Sequence, residues 1–210
     1  MEPKPLRILC FGDSLTEGYT HHGLSYAPYC TTMEQVLTAA LPGKEWEISV
    51  DEQGVSGELV LHMGGRMNEI YASDRTSEEP YDLVIFLGGT NDLGYGRPAN
   101  DIFTDIKNVL QMPLDHGARV VVMTVPECGV KSGKLDAKRD ELNGSIRRFV
   151  EEKESLFLFD LKEKIPYHSM SEEERKEIWD DGLHFTAKGY ARMGRGVGER
   201  VVEIMSEGGK

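Results

Sequence analysis

The length and charge of the chain limit what it can be. Its 210 residues suffice for one domain with a sizeable hydrophobic core. The 24 Lys and Arg residues against 36 Asp and Glu give a net charge of -12, which repels phosphate backbones and anionic lipid surfaces. The sequence also lacks an apolar stretch of the ~20 residues that a membrane-spanning helix needs. Neither nucleic acid nor a membrane is therefore expected as a partner.

The cysteines and the N-terminal residues indicate in which cellular compartment the protein is expected. Cys10, Cys30 and Cys128 show no C-x-x-C spacing and cannot all pair within one chain, which favours free thiols in a reducing environment. The first residues run into a short apolar run without the core of a signal peptide. We expect a soluble, cytoplasmic protein. Since no repeat, low-complexity tract or linker divides the chain, residues 1–210 are expected to form one domain.

Short apolar runs alternate with longer segments of helical period, the pattern of a parallel sheet with helices on both faces. The predicted strands span residues 8–11, 46–50, 83–87, 120–125 and 156–159. Alternating polar and apolar residues place the second strand at an edge, whereas continuous apolarity places the third and fourth inside. The expected class is α/β with strand order 2-1-3-4-5.

Helices are predicted where apolar residues recur three and four positions apart. The stripes run over residues 59–70, 102–110 and 142–150. A Glu-rich helix over residues 171–179 is expected to present a solvated face. The last helix is predicted to begin after Thr186, a suitable N-cap, although glycines at 194, 196 and 198 disfavour a helix in its middle.

Polar residues that could carry chemistry follow the predicted strands at their carboxyl ends, where ligands bind in such folds. Ser14 follows the first strand, Gly57 the second and Asn91 the third, while Asp181 and His184 lie beyond the fifth. Residues scattered along the sequence are thus expected to meet at one edge of the sheet.

Three of these residues can form an activated serine. A hydroxyl becomes nucleophilic when an imidazole accepts its proton, and a carboxylate then stabilises the imidazolium. Ser14 is the predicted nucleophile and His184 the general base and acid, with Asp181 three residues away as its orienting carboxylate. Asp180 is adjacent and competes for that role. The structural alternatives are a turn serine that caps a helix and a loop histidine beside a capping aspartate.

Attack on an ester carbonyl puts negative charge on its oxygen, which fixed hydrogen-bond donors stabilise. The candidate donors are the backbone N–H groups of Ser14 and Gly57 and the carboxamide of Asn91. The structural alternative is a helix start for Gly57 and an ordinary turn between strand and loop for Asn91. Because the sequence has no His-Glu-x-x-His or comparable cluster, neither a metal nor a cofactor is expected.

The substrate pocket is expected between the loops at residues 15–26 and 93–98. A cysteine hydrolase is a distant alternative, because Cys128 is expected near the strand ends. The side chains expected to contact an acyl or aryl group are Leu15, Tyr19, Tyr26, Leu93 and Tyr95.

Four sequence blocks occur together in a recognisable order. They read GDSLTEG at residues 12–18, VSG at 55–57, GGTND at 88–92 and DGLH at 181–184. With these blocks the chain closely resembles the SGNH subgroup of the GDSL esterases and lipases, over nearly its whole length. Two positions depart from the frequent pattern, since Glu52 lies where many relatives carry Asn and Phe185 follows the histidine where Pro is frequent.

The resemblance implies a three-layer α/β/α, flavodoxin-like fold, a triad of Ser14, His184 and Asp181, and an oxyanion hole from Ser14, Gly57 and Asn91. It implies a serine esterase that cleaves small or short-chain acyl or aryl esters through an acyl-enzyme. Carbohydrate acetylesterase, thioesterase and lysophospholipase activities stay open. A flavodoxin-like binding module or a non-catalytic interaction module would be the alternatives without catalysis, although no Gly-rich phosphate loop follows the first strand.

Overall fold

A five-stranded parallel sheet forms the centre of the fold. The computed structural model describes residues 3–43, 45–73 and 79–207. The strands of the sheet are β1 (Lys4–Gly12), β4 (Trp46–Gly54), β5 (Leu83–Leu87), β6 (Arg119–Met123) and β7 (Leu156–Phe159), and a separate hairpin consists of β2 (Tyr19–Thr20) and β3 (Ser25–Tyr26). Along the sheet the order is β4-β1-β5-β6-β7, which confirms the predicted order 2-1-3-4-5.

Helices cover both faces of this sheet, so the fold has three layers. In chain order they are α1 (Ser14–Glu17), α2 (Tyr29–Ala40), α3 (Val60–Ala72), α4 (Thr90–Gly94), α5 (Ala99–Asp115), α6 (Gly133–Val150), α7 (Leu161–Lys164), α8 (Glu172–Ile178) and α9 (Ala187–Glu207), and a 3-10 turn spans His21–Gly23. Over the ranges that the structure describes, none of these helices has the length and apolarity to cross a membrane.

Successive residues of the inner strands point to opposite faces and fill two separate hydrophobic clusters. In β1, Ile8 and Cys10 belong to the cluster shared with α2 and α9, whereas Leu9 and Phe11 belong to the cluster shared with α3, α5 and α6. The predicted helical stripes supply these contacts, which confirms the helices at residues 59–70, 102–110 and 142–150. β4 lies at one edge, as its alternating sequence predicts.

Strand β6, the fourth strand that the sequence predicts, ends two residues earlier than its apolar run over residues 120–125 predicts. It ends at Met123 because Val125 finds its backbone partners outside the sheet. The Asn143 carboxamide of α6 accepts from Val125 N at 2.8 Å and donates to Val125 O, also at 2.8 Å. The Asn143 side chain thus gives Val125 the hydrogen bonds that a neighbouring strand would otherwise supply. The chain can then leave the sheet at the edge where the carboxyl ends of the strands lie.

The glycines of α9 serve close packing against α2. Thr186 caps the helix as predicted, since its hydroxyl oxygen accepts from Gly189 N at 3.1 Å. A Cβ on Gly194 would lie 2.2 Å from the Tyr29 carbonyl oxygen, and one on Gly198 would lie 2.8 Å from the Val36 Cβ. These two glycines, four residues apart, let the backbones of the two helices approach more closely than any side chain would permit.

A matched pair of Gly→Ala variants tests this packing. Gly194→Ala forces α2 and α9 apart and should cost about 1–3 kcal/mol of the free energy of unfolding, as overpacked cores do. Among the residues that the structure describes, a Cβ on Gly144 in α6 would meet only the Arg148 Nη1, at 3.5 Å. Gly144→Ala should therefore gain ~0.4–1 kcal/mol by restricting the unfolded chain. Thermal unfolding should therefore show opposite shifts of the melting temperature, and a Gly194→Ala protein as stable as its parent would contradict the packing argument.

Candidate active site

Three strands of the sheet end at the same level, and the loops that follow carry the predicted site. In the parallel register, Gly12 of β1 pairs with Gly54 of β4 and with Leu87 of β5. The chain then leads from each strand end into a short segment with a predicted site residue: Ser14 after β1, Gly57 after β4 and Asn91 after β5. The expectation that these residues meet at one edge therefore has a direct cause in the register of the sheet.

Ser14 opens α1, a helix of one turn held by caps at both ends. Asp13 is its N-cap, and its side-chain Oδ1 accepts a hydrogen bond from Leu15 N at 3.0 Å. Gly18 ends the turn in the left-handed conformation, with φ of 81°. The side chain of Ser14 is thereby fixed at the start of the turn, directed toward the loop that carries His184.

The loop between α8 and α9 is closed at its base by a single β-bridge, between Trp179 and Phe185. Within it, Asp180 N donates to the His184 carbonyl oxygen at 2.9 Å. Asp181 Oδ1 accepts from the backbone N–H groups of Leu183 at 2.9 Å and His184 at 2.8 Å. These bonds hold the carboxylate and the imidazole on the same side of a tight turn.

The structure joins Ser14, His184 and Asp181 in one chain of hydrogen bonds. The Ser14 Oγ lies 2.9 Å from His184 Nε2. The other ring nitrogen, Nδ1, lies 2.8 Å from Asp181 Oδ2. The three groups thus have the distances that an activated serine requires, across 170 residues of sequence.

Asp181, rather than its neighbour Asp180, faces the imidazole. Burial raises the pKa of the Asp181 carboxyl, but hydrogen bonds from His184 and Leu183 outweigh it, and the net pKa is lowered. The carboxylate therefore stays ionised when the imidazole takes up a proton. Asp180 instead accepts from the His21 backbone N–H at 2.7 Å.

The predicted oxyanion donors lie in three adjacent turns. Gly57 adopts φ of 78°, a left-handed conformation that strains any residue with a side chain. Asn91 uses one amide hydrogen to bind the carbonyl oxygen of Glu58, the residue after Gly57, at 3.0 Å. That bond joins the two turns and leaves the second amide hydrogen of Asn91 for a ligand.

Asp13, the neighbour of the predicted nucleophile Ser14, has a carboxyl group without contact to solvent. Its Oδ2 is buried and makes no hydrogen bond with any described residue. Burial is the largest cause that raises the pKa of Asp13, from 3.8 to about 7, and the charges of Asp92 and Glu58 add to it, whereas the bond from Leu15 N lowers it. The group can therefore keep its proton up to neutral pH.

A cavity of about 710 Å³ opens beside the hydrogen-bonded chain, between Asn91 on one side and Asp181 on the other. Two of the predicted contact residues, Leu93 and Tyr95, line it. Leu15 does not, because the turn of α1 directs its side chain into the core, where it is fully buried. Further apolar walls come from Val125, Val130, Leu135, Tyr167 and Leu183.

The β2–β3 hairpin carries the remaining predicted contact residues, Tyr19 and Tyr26, neither of which lines this cavity. The Tyr19 ring lies against the His184 imidazole, with centroids 4.4 Å apart, and its carbonyl oxygen accepts from Tyr190 OH at 2.9 Å. Tyr26 packs edge-on against Tyr19 and is 53% exposed. Tyr19 therefore covers the imidazole, while Tyr26 lies at the surface.

Several charged residues near the site are not predicted from the sequence. Arg66 of α3 pairs with Glu58 and reaches the strand ends, and Arg97 pairs with the fully buried Asp92 of α4. Their only sequence signal is a charge beside an apolar stripe, which is common on helices. At the cavity, Arg139 Nη2 donates to Cys128 Sγ at 3.2 Å.

Metal-ion ligands would have to come from clustered His, Cys, Asp or Glu side chains. Within residues 3–43, 45–73 and 79–207, no group of three or more such side chains could hold a metal ion. The charged groups described above pair instead with one another or with backbone atoms.

The sequence matches one family over most of its length. The model of the GDSL-like Lipase/Acylhydrolase family matches residues 10–192, a range that holds all four blocks and the hydrogen-bonded chain. The chain belongs to this family. The expected family is thus confirmed, and with it, at the level of the family, a GDSL-type carboxylic ester hydrolase. Comparison of this hydrolase with curated proteins gives no significant match.

Solved structures share the fold of this GDSL-family hydrolase at low sequence identity. A member of the lipolytic protein G-D-S-L family from Veillonella parvula has a TM-score of 0.71 at 18% identity, covering 92% of this chain and 97% of that one. An aryl esterase from M. smegmatis has a TM-score of 0.70 at 20% identity, covering 95% and 99%. A carbohydrate acetylesterase family member from Sinorhizobium meliloti has a TM-score of 0.70 at 16% identity, covering 96% and 99%.

The two neighbouring aspartates provide a matched test of the orienting carboxylate. If Asp181 is the orienting carboxylate, Asp181→Asn removes the charge that would stabilise the imidazolium and permits the wrong tautomer, so kcat for an activated ester should fall ~10⁴-fold. Asp180→Asn keeps an acceptor for the His21 N–H and should leave kcat nearly unchanged. Steady-state hydrolysis of p-nitrophenyl acetate measures both, and the opposite ranking would assign the role to Asp180.

The buried Asp13 predicts a pH dependence of stability. The folded state holds this proton to about pH 7, whereas the unfolded chain releases it near its ordinary pKa of 3.8. The free energy of unfolding should fall as pH rises from about 4 to 7, by about 4 kcal/mol in all, and then level off. Asp13→Asn keeps the acceptor for Leu15 N and removes this slope, which thermal unfolding from pH 4 to 8 detects. Parallel curves for the two proteins would contradict the buried protonated carboxyl.

Proposed function

We propose that this protein is a serine esterase that hydrolyses carboxylic esters through an acyl-enzyme, with Ser14 as nucleophile. The observation that carries the proposal is the hydrogen-bonded chain from Ser14 Oγ through His184 to Asp181, with bonds of 2.9 and 2.8 Å. A helix-capping serine would not need an imidazole at its hydroxyl, and a structural histidine would not need a serine. A binding module or a non-catalytic interaction module therefore leaves the hydrogen bonds that join Ser14, His184 and Asp181 unexplained.

The reaction follows from the roles of these groups. Ser14 Oγ attacks the carbonyl carbon while His184 Nε2 takes its proton, and the Asp181 carboxylate stabilises the resulting imidazolium. The carbon–oxygen bond to the alcohol then breaks as the imidazolium returns the proton to the departing oxygen. In the second half, water gives a proton to His184 and attacks the acyl carbon, and Ser14 leaves with that proton.

The proposed oxyanion hole consists of Ser14 N, Gly57 N and Asn91 Nδ2. The two backbone N–H groups make no hydrogen bond within the described part of the chain, so both are available to an oxygen placed between them. Asn91 is held in place by its bond to Glu58 O at 3.0 Å. Donors fixed before the reaction stabilise developing charge without reorganisation.

Small or short-chain acyl or aryl esters are the proposed substrates. The 710 Å³ cavity has the size of a small-molecule site, and its walls from Leu93, Tyr95, Val130 and Leu135 favour an apolar group. The similar fold of an aryl esterase and of a carbohydrate acetylesterase family member makes acetylated sugars the second candidate class. Thioesters and lysophospholipids have no comparable support.

We further propose that residues 1–210 act as one hydrolase domain in a reducing compartment such as the cytoplasm. The family match spans residues 10–192, and both hydrophobic clusters pack on one sheet. Cys10, Cys30 and Cys128 are all free thiols and all buried, which supports such a compartment.

The test is loss of the nucleophile. Ser14→Ala should lower kcat/KM for p-nitrophenyl acetate by ~10⁴-fold or more and leave thermal unfolding unchanged, because only one hydroxyl is removed. A fluorophosphonate should label the parent protein stoichiometrically, with the adduct on Ser14 by peptide mass spectrometry.

Two control variants separate the alternatives. Cys128→Ala should retain activity, since the thiol takes no part in the proposed reaction, and its inactivation would favour a cysteine hydrolase. Ser56→Ala removes a second hydroxyl from the same edge, one that donates to the Glu17 carboxylate, and should retain the fluorophosphonate adduct. Parental turnover by Ser14→Ala, or an adduct on another residue, would reject the proposal.

A further inference from the structure

The guanidinium of Arg66 lies beneath the candidate site, at the junction of the strand ends. Arg66 belongs to α3, and only 18% of its side chain is exposed. Its guanidinium packs over the Phe11 ring, with 3.9 Å between the guanidinium carbon and the ring centroid. The flat contact fixes the plane of the group and leaves its edges for hydrogen bonds.

The nitrogen atoms of this guanidinium bind three different segments of the chain. Nη1 donates to the Gln53 carbonyl oxygen at 2.8 Å, and Nη2 donates to the Gly12 carbonyl oxygen at 3.0 Å. Nε donates to the two carboxylate oxygens of Glu58 at 3.2 and 3.1 Å, and Nη2 also pairs with this carboxylate. One side chain thus binds the ends of β1 and β4 and the residue after Gly57.

These contacts lead directly to the proposed oxyanion donors. Gly12 precedes Ser14 by two residues, and Gln53 and Glu58 enclose the turn that presents Gly57. Glu58 also accepts from Asn91 through its carbonyl oxygen, at 3.0 Å. The relative positions of all three donors are therefore fixed through one planar group.

The charge of Arg66 matters as well as its shape. The Glu58 side chain is 11% exposed, and its negative charge acts on Asp13, next to Ser14. Without Arg66, an uncompensated buried carboxylate would face the region where negative charge develops in the reaction. A buried charge that loses its partner also tends to reorganise its surroundings.

We infer that Arg66 is a positioning residue that aligns the backbone N–H groups of Ser14 and Gly57 and the carboxamide of Asn91 on the substrate oxyanion. This inference rests on the proposed function. Arg66 itself does not touch the substrate; it acts through Gly12, Gln53 and Glu58. A lysine cannot replace it, because an ammonium lacks the planar set of donors that reaches three segments at once.

The test is a kinetic comparison of Arg66→Ala and Arg66→Lys with the parent, using p-nitrophenyl acetate. Both variants should lower kcat ~10²-fold, as loss of an oxyanion donor does, with KM changed little, because donors that have shifted fail mainly in the transition state. Affinity for phenylboronic acid, which forms a tetrahedral anionic adduct on a serine, should fall with kcat. Added methylguanidinium should partly restore kcat of Arg66→Ala.

A double-mutant cycle shows whether Arg66 acts through the oxyanion donors. Asn91→Ala and Arg66→Ala should be clearly less than additive in their effects on kcat, since both disturb the same oxyanion site. Arg200→Ala is the matched control: its guanidinium also bonds a backbone carbonyl, that of Leu158 at 3.3 Å, and pairs with Glu203, but it lies in α9 away from the site. It should keep the parental kcat.

The outcomes separate this inference from the proposed function. Active Ser14→Ala would reject the esterase mechanism itself. If Ser14→Ala is inactive, two results would overturn the role of Arg66 alone. One is parental kcat for a folded Arg66→Ala protein, and the other is strictly additive losses of kcat in the double-mutant cycle. If Arg66→Ala does not fold, Arg66→Lys decides, because parental kcat with an ammonium would mean that charge suffices and positioning is not the role.

Discussion

The candidate site depends on how closely the first turn after β1 approaches the ends of its neighbouring strands. A Cβ on Gly12 would lie 2.3 Å from both the Leu87 carbonyl oxygen and the Thr16 Oγ1 of α1, and one on Gly54 would lie 2.1 Å from the backbone nitrogen of Glu17. Neither distance is possible for a side chain. Two glycines at paired positions of β1 and β4 therefore let α1 pack directly on the sheet edge, and this contact fixes the height of Ser14 above the sheet.

Buried charges beneath this edge hold geometry rather than contribute much stability. The fully buried Asp92 accepts from Val60 N at 3.1 Å and pairs with Arg97, which ties the start of α3 to α4. Arg66 does the same for the strand ends. Removing two charges from water costs about as much as their attraction returns, so such pairs add little to the free energy of folding. Their benefit is that they fix the orientation of the backbone groups around Ser14.

The sequence predicts the features of this chain that depend on local patterns. The meeting of Ser14, Asp181 and His184 could be predicted because each lies in a short turn whose residues define its conformation. The strand order follows from which strands alternate in polarity. Arg66 could not, because two of its partners are backbone carbonyls 54 and 13 residues away, and carbonyls have no residue identity. The burial of the Leu15 side chain could not be predicted either, because the orientation of a one-turn helix depends on the sheet on which it packs.

Two of the strongly exposed large apolar side chains line the cavity beside the candidate site. In the part of the chain that the structure describes, Tyr95 and Val130 line this cavity, whereas the exposed side chains of Leu24, Tyr26, Val55 and Leu61 lie outside its lining. None of the bonds that hold Ser14, His184 and Asp181 involves these side chains. Substitution of Tyr95 or Val130 can thus alter which ester is bound while the proposed reacting groups, fixed by strand register, glycine contacts and buried guanidinium groups, stay in place. Chemistry and specificity occupy the same edge of the sheet but depend on different physical interactions, which is how one fold can serve many esters.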